Sequence, residues 1–316
     1  MATPAVMDLD TGIDDALALL LAVCSPELDL VGVGTVTGNV HARTAATNSL
    51  RVLEVAGAAD VPVAVGAERW LLEPDPGHTW VHGTDGMGET HQPAPAGRPS
   101  PEGAVEQLLR LSHEHAGQLV VVAVAPLTNL ALALRSDPGL ADRLARIVIM
   151  GGSARDGGNR TTWGEANVAC DPEAARIVFA ADVPRTMVGL DVTMQVSFDA
   201  ADLDRLTASS DAGAALAAQL LPFYLDVYTR ILGERRCAVH DALAVAAAAD
   251  PTLLTTEPLP VDVETRGELT RGMTVVDLRA RFPGWTRSEE PRTDVALDVD
   301  TDRAHALILE RLLGGG

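Results

Sequence analysis

The sequence predicts an α/β protein, with a mostly parallel open sheet, helices on both faces and a small antiparallel excursion near the C-terminus. Three observations carry that expectation. Short apolar runs alternate with Ala/Leu-rich stretches of helical period from the first residues to about residue 255, the order of repeated βα units. Runs such as Leu119-Val120-Val121-Val122-Ala123-Val124 are continuously apolar and read as buried strands. After Leu259 the pattern changes, and segments 261–265 and 273–278 flank Arg266-Gly267-Glu268 as an antiparallel pair would.

Taken in order, Ala5-Val6-Met7 forms an opening strand, Thr11-Gly12 a tight turn, and the run from Ala16 a helix. A second strand over 28–34 leads to Thr37-Gly38-Asn39, a helix over 42–56 and a strand over 61–65. Residues 71–100 are rich in Pro, Gly and His with little periodicity, as in a long functional loop. A helix over 104–113 and the strand over 119–124 follow, and Pro126-Leu127-Thr128-Asn129 is expected to start a helix with Pro in its first turn. The strand over 146–150 ends at Gly151-Gly152, a Gly-rich stretch runs to Asn167, Asp171-Pro172 opens a helix, and 185–190 is a further strand. Asp298-Val299-Asp300-Thr301-Asp302 has the look of the acidic opening but lacks its glycine and adjacent Asp pair, and reads as a strand end followed by a helix cap. With no repeats and no low-complexity linker, residues 1–316 read as one domain, with mobile active-site loops at 71–100 and 222–238.

Composition narrows the partners. A net charge of −20 argues against nucleic acid and anionic membranes, which call for a basic surface, but not against a small neutral substrate. Every basic side chain except histidine is arginine, so there is no Schiff-base lysine and no Walker-A lysine. Cys24, Cys170 and Cys237 are widely spaced without a CxxC, which fits reduced thiols. No N-terminal signal pattern and no membrane-length apolar run is present, so a cytoplasmic location is expected.

Four aspartates, Asp8, Asp10, Asp14 and Asp15, fall within eight residues. The first two belong at a strand's carboxyl end and the others in the first turn of the next helix. Such crowding opposes ionisation, and a helix N-terminus offsets only about 0.3–1 kcal/mol of it. A hard cation with oxygen ligands resolves the conflict, and Ca2+ accepts several carboxylates.

The acidic opening, the loop Val81-His82-Gly83-Thr84-Asp85-Gly86-Met87-Gly88, the turn at 125–129, the stretch from Gly158-Asn159 to Glu165-Ala166-Asn167, and Val239-His240-Asp241-Ala242 stand in an order and spacing that resemble the nucleoside hydrolase family, in particular its inosine-uridine-preferring branch. The resemblance covers roughly residues 5 to 310. It implies a Rossmann-like fold and Ca2+-dependent hydrolysis of the N-glycosidic bond of ribonucleosides, in a homodimer or homotetramer. By the same resemblance Asp10, Asp15, Asp241 and the Val124 carbonyl would bind Ca2+, and Asp10 would also take a proton from the attacking water. Asp14 and Asn167 would hold the ribose 2′- and 3′-hydroxyls with Asn39 supporting that rim, Met150 would line the site, and Asn159 and Glu165 would hold the 5′-hydroxyl. His240 would be the general acid for the departing base, His82 on the base side would be a substrate-binding residue and a second catalytic candidate, and Asp8 would orient the cluster from behind. His41, His78, His91, His113, His115 and His305 read as structural.

This sequence departs from the family pattern at Thr11, where Pro is common, and in a shortened segment between Tyr228 and His240 that places Leu232 where an aromatic lining residue is expected. Trp80 and Trp163 are the candidates to stack on the base instead. Two other readings remain: a phosphatase of the haloacid dehalogenase type, which also begins strand-Asp-x-Asp-Thr but usually needs a downstream lysine, and a non-catalytic nucleoside- or Ca2+-binding protein.

Overall fold

The computed structural model describes residues 2–72, 80–282 and 292–315. The chain runs β1 (Thr3–Leu9), α1 (Ile13–Val23), β2 (Leu28–Thr35), α2 (Ala42–Val55), β3 (Val63–Val65), α3 (Ala104–Glu114), β4 (Leu119–Ala123), α4 (Thr128–Ser136), α5 (Leu140–Arg143), β5 (Leu144–Met150), α6 (Ala166–Cys170), α7 (Pro172–Ala180) and β6 (Arg185–Val188). It continues through α8 (Leu190–Thr193), β7 (Ser197–Asp199), α9 (Ala200–Ala208), α10 (Ala212–Leu232), β8 (Arg236–Ala238), α11 (His240–Ala249), β9 (Leu254–Val263), β10 (Thr274–Val276), β11 (Arg292–Val299) and α12 (Thr301–Leu312).

Nine strands form one sheet in the order β10-β9-β11-β6-β5-β4-β1-β2-β3. From β11 to β3 neighbouring strands are parallel, whereas β9 runs antiparallel to β11 and β10 antiparallel to β9. The excursion expected after Leu259 is therefore present. Both faces are covered, which is why the central strands are apolar throughout. In β4, Val120 and Val122 join the core cluster under α1, α10 and α11, while Leu119, Val121 and Ala123 join the one under α3, α4 and α7.

The chain builds β1, β2 and β3 outward in one direction and then returns to place β4 on the other side of β1. The loops leaving β1 and β4 diverge at this switch, and a parallel sheet opens its ligand crevice there, beyond the strands' carboxyl ends.

Two elements differ from the sequence expectation. Residues 222–232, expected as part of a loop, continue helix α10. Leu220, Leu221, Tyr224, Leu225, Val227 and Tyr228 are all buried there, and this apolar stripe carries the helix past Pro222, whose missing N–H removes one backbone bond without ending it. The helix stops at Gly233, whose φ of 75° closes it in the left-handed conformation. Pro126 lies outside α4 rather than in its first turn, because Leu127 is the cap residue. Part of the expected 71–100 loop, residues 73–79 with His78, lies outside the described residues.

Asn129 at the start of α4 ties the strand ends together. Its Nδ2 donates to Asp8 Oδ1 at 2.7 Å and to the Thr35 carbonyl at 3.0 Å, and its Oδ1 accepts the Ala67 N–H at 2.8 Å. Asn129→Ala strands a buried carboxylate and is expected to cost about 1–3 kcal/mol or more in urea unfolding. Leu132→Ala on the solvent side of the same helix should stay within about 0.5 kcal/mol. Equal losses for the two variants would refute the tie.

Candidate active site

The crevice floor is a bed of carboxylates. Asp10 leaves β1, and Asp14 and Asp15 lie in the first turn of α1. The Asp15 carboxylate closes the turn by accepting the Asp10 N–H at 3.1 Å and the Gly12 N–H at 2.8 Å. Asn39 grips Asp10 through its backbone N–H (2.6 Å) and its side-chain amide (3.1 Å), and the same amide reaches Asp15 at 3.2 Å. Gly38 permits this grip, since a Cβ there would lie 2.0 Å from Asp10 Oδ2. Asp241 arrives in the first turn of α11, and carboxylate oxygens of Asp14, Asp15 and Asp241 lie within 4.8 Å of one another.

Burial pushes Asp15 up to about 7, with the Asp14 charge adding to it, and holds Asp10 and Asp241 well above the usual carboxylate range. Asp8, behind the bed, is raised to about 7 by burial despite its bond from Asn129. Asp14 Oδ1 is buried with no hydrogen-bond partner. An all-oxygen, all-acidic donor set with an orphaned carboxylate oxygen fits a hard divalent cation and does not suit zinc. Asp14, Asp15 and Asp241 can present one oxygen each to a common point, and Asp10 adjoins Asp15 directly and through Asn39.

Beside the bed stands an aromatic wall. His82 Nδ1 accepts the Ile13 N–H at 3.1 Å, which leaves Nε2 as the protonated nitrogen of the neutral ring. The ring lies against the turn because residue 12 is glycine; a Cβ would come within 2.7 Å of Nδ1. His82 is 3.6 Å from Asp14 Oδ1, and burial lowers its pKa against the pull of that charge. Tyr224 donates its hydroxyl to Asp14 Oδ2 at 3.1 Å and packs against His82 and, edge-on, Tyr228. His240 has both ring nitrogens occupied, Nε2 by the Tyr228 hydroxyl at 2.6 Å and Nδ1 by Thr193 Oγ1 at 2.7 Å. It too is lowered by burial.

A polar wall comes from the loop after β5. Asn167 Nδ2 donates to the carbonyls of Val124 and Met150, both at 3.1 Å, so it sits at the ends of β4 and β5. The Glu165 carboxylate caps α6 by accepting the Asn167 and Val168 N–H groups and also takes the Gly152 N–H. Asn159 Oδ1 accepts the Ala166 N–H, leaving its amide nitrogen to donate.

Bed and walls enclose a cavity of about 610 Å3 lined by Asp14, Asn39, His82, Val124, Met150, Asn159, Glu165, Asn167, His240 and Asp241, all named from the sequence. Asp10, Asp15 and Asp8 lie beneath it. Trp80 joins the lining but Trp163 does not, and Ile231, one position before Leu232, faces the cavity. None of His41, His91, His113, His115 and His305 lines it. Sequence reasoning passed over Tyr224, Thr193 and Arg160. The i, i+4 spacing of Tyr224 and Tyr228 in an apolar stretch just before His240 was the available signal for the first.

Among the described residues no helix is long and apolar enough to cross a membrane. The family model for the inosine-uridine preferring nucleoside hydrolase matches residues 5–306. The chain is 39% identical over 310 residues to an inosine-uridine preferring nucleoside hydrolase of Leishmania major, covering 97% of this chain and 96% of that protein. It is 37% identical over 312 residues to a probable uridine nucleosidase of Arabidopsis thaliana, covering 98% and 97%. A plant nucleoside hydrolase structure superposes with a TM-score of 0.95 at 34% identity, covering 99% of each chain. The phosphatase alternative falls with these findings. The chain belongs to the inosine-uridine preferring nucleoside hydrolase family and is an enzyme that hydrolyses ribonucleosides.

Proposed function

We propose that this enzyme hydrolyses the N-glycosidic bond of ribonucleosides, purine and/or pyrimidine, with the help of Ca2+. The observation that carries the reading is Asp14: one carboxylate oxygen is taken by Tyr224, and the other is buried without a partner between the aromatic wall and the acidic bed. Asp15, Asp241 and Asp10 with the Val124 carbonyl are the residues that would hold the ion. When bound, it would neutralise the carboxylates and make a neighbouring water more acidic.

The remaining steps belong to the chain's own residues. Asp10, held on both oxygens by Asn39, takes the proton of the water that attacks the anomeric carbon. Asp14 and Asn167 hold the ribose 2′- and 3′-hydroxyls, contacts that strengthen as the sugar becomes oxocarbenium-like. Asn159 offers its amide to the 5′-hydroxyl, while Glu165, whose oxygens already accept three backbone N–H groups, chiefly fixes that wall. The flat base packs on the aromatic wall beside Trp80. With both of its nitrogens committed, His240 acts on the departing base through the Tyr228 hydroxyl, and the His82 Nε2–H is the second donor on that side.

Prolonged chelation is expected to abolish base release and lower the melting temperature, because a ion bound only by the folded chain adds stability; Ca2+ should restore both. Full activity in metal-free protein would end the metal reading. Asp10→Asn should lower kcat by more than the roughly 10²–10⁴-fold typical of a lost general base, and a variant within tenfold of the parent refutes that role. Tyr228→Phe should slow inosine hydrolysis about a hundredfold while sparing p-nitrophenyl riboside, whose phenolate leaves unaided. Equal losses on the two substrates mean that Tyr228 only supports the wall.

A further inference from the structure

We infer that the cavity also accepts nucleoside 5′-monophosphates, with Arg160 holding the 5′-phosphate; this rests on the nucleoside-hydrolysis reading of the same site. Among the described residues Arg160 is the one arginine in the cavity lining, where the acidic side chains are Asp14, Glu165 and Asp241. A neutral nucleoside offers the guanidinium no charge to answer beyond that of Glu165 on the same wall. Among the described residues Arg160 makes no ion pair and no side-chain hydrogen bond, and its guanidinium carbon lies 5.8 Å from the centroid of the Trp70 ring. Trp70 is a fixed platform, 7% exposed, with its indole N–H donated to the Thr37 carbonyl at 2.8 Å. The loop is equally fixed, since the Arg160 N–H reaches the Gly164 carbonyl at 3.2 Å and the Gly158 N–H the Thr162 carbonyl at 2.9 Å.

The sugar geometry directs the phosphate to this place. With the 2′- and 3′-hydroxyls on the acidic bed and the base on the aromatic wall, C4′ and C5′ point away from the base, toward the wall that carries Asn159 and Arg160. Glu165 on that wall is a weak obstacle to an anion, because its oxygens accept the N–H groups of Gly152, Asn167 and Val168. An arginine beside a phosphate forms charge-assisted bonds stronger than neutral ones. The reaction is the same hydrolysis: the water oxygen bonds to C1′, the C1′–N bond breaks with its electron pair left on the base, the base gains a proton, and Asp10 takes the proton lost by water. The products are free base and ribose 5-phosphate.

The test compares kcat/KM for uridine and inosine with that for their 5′-monophosphates, in the parent enzyme and in R160Q and R160K. The parent should release base from both classes, and the sugar product from the monophosphates must be ribose 5-phosphate, which excludes prior loss of phosphate. R160Q should lower the monophosphate-to-nucleoside ratio by about tenfold to a hundredfold, the range of a lost bond to a charged group, and R160K should retain part of it. Added salt should lower the same ratio. A parent that cleaves nucleosides but leaves monophosphates intact overturns this inference and leaves the proposed function standing. An unchanged ratio in R160Q removes Arg160 from the role and reduces it to a counter-charge for Glu165. A parent that cleaves neither class brings down the underlying reading as well.

Discussion

Several carboxylates buried at one point, with no arginine paired to them among the described residues, are the constraint on which the rest of the structure turns. Each is handled differently. Asp15 is held by backbone N–H groups of its own turn, Asp10 by Asn39, Asp8 by Asn129 and Asp14 by Tyr224. These bonds lower the penalty without removing it, and Asp15, Asp10 and Asp241 stay raised by burial and by one another. A fold seeking stability alone would not gather them. Their concentration at the switch point of the sheet makes sense as a site whose missing positive charge is supplied by what it binds.

The same constraint explains two glycines. Gly38 lets Asn39 reach Asp10, and Gly12 lets His82 lie flat against the first turn of α1. In both, the backbone approaches a functional side chain more closely than any Cβ allows. The glycine of the acidic opening is thus bound up with a histidine seventy residues downstream, because His82 Nδ1 takes the N–H that α1 leaves unpaired at Ile13.

Much of the fold was legible because its signals are local: apolar runs, turn residues and caps each lie within a few positions. The acidic bed was legible for the same reason, since Asp8, Asp10, Asp14 and Asp15 share one short segment. What escaped depends on packing between distant segments. Tyr224 reaches Asp14 from 210 residues away, and Thr193 meets His240 from 47. The helix over 222–232, expected as part of a loop, depends on a buried stripe around Pro222 that outweighs one lost backbone bond. That helix also explains Leu232, because helical phase turns Ile231 rather than its neighbour into the cavity.

The two walls have separate origins, and this separates the enzyme's choices. The acidic bed rests on the ends of β1 and β4 and the first turns of α1 and α11, rigid elements that in the proposed reading hold the sugar and the attacking water. In that reading the base would meet α10 and the His82 loop, while the 5′ end would meet the loop after β5. A change at Ile231 or Trp80 can therefore alter which base is held without moving Asp10 or Asn167. A change at Arg160 can alter what is tolerated at C5′ without touching Tyr228. In the proposed reading, specificity is carried on surface segments around a floor in which Asp8, Asp10 and Asp15 are already committed to hydrogen-bond partners.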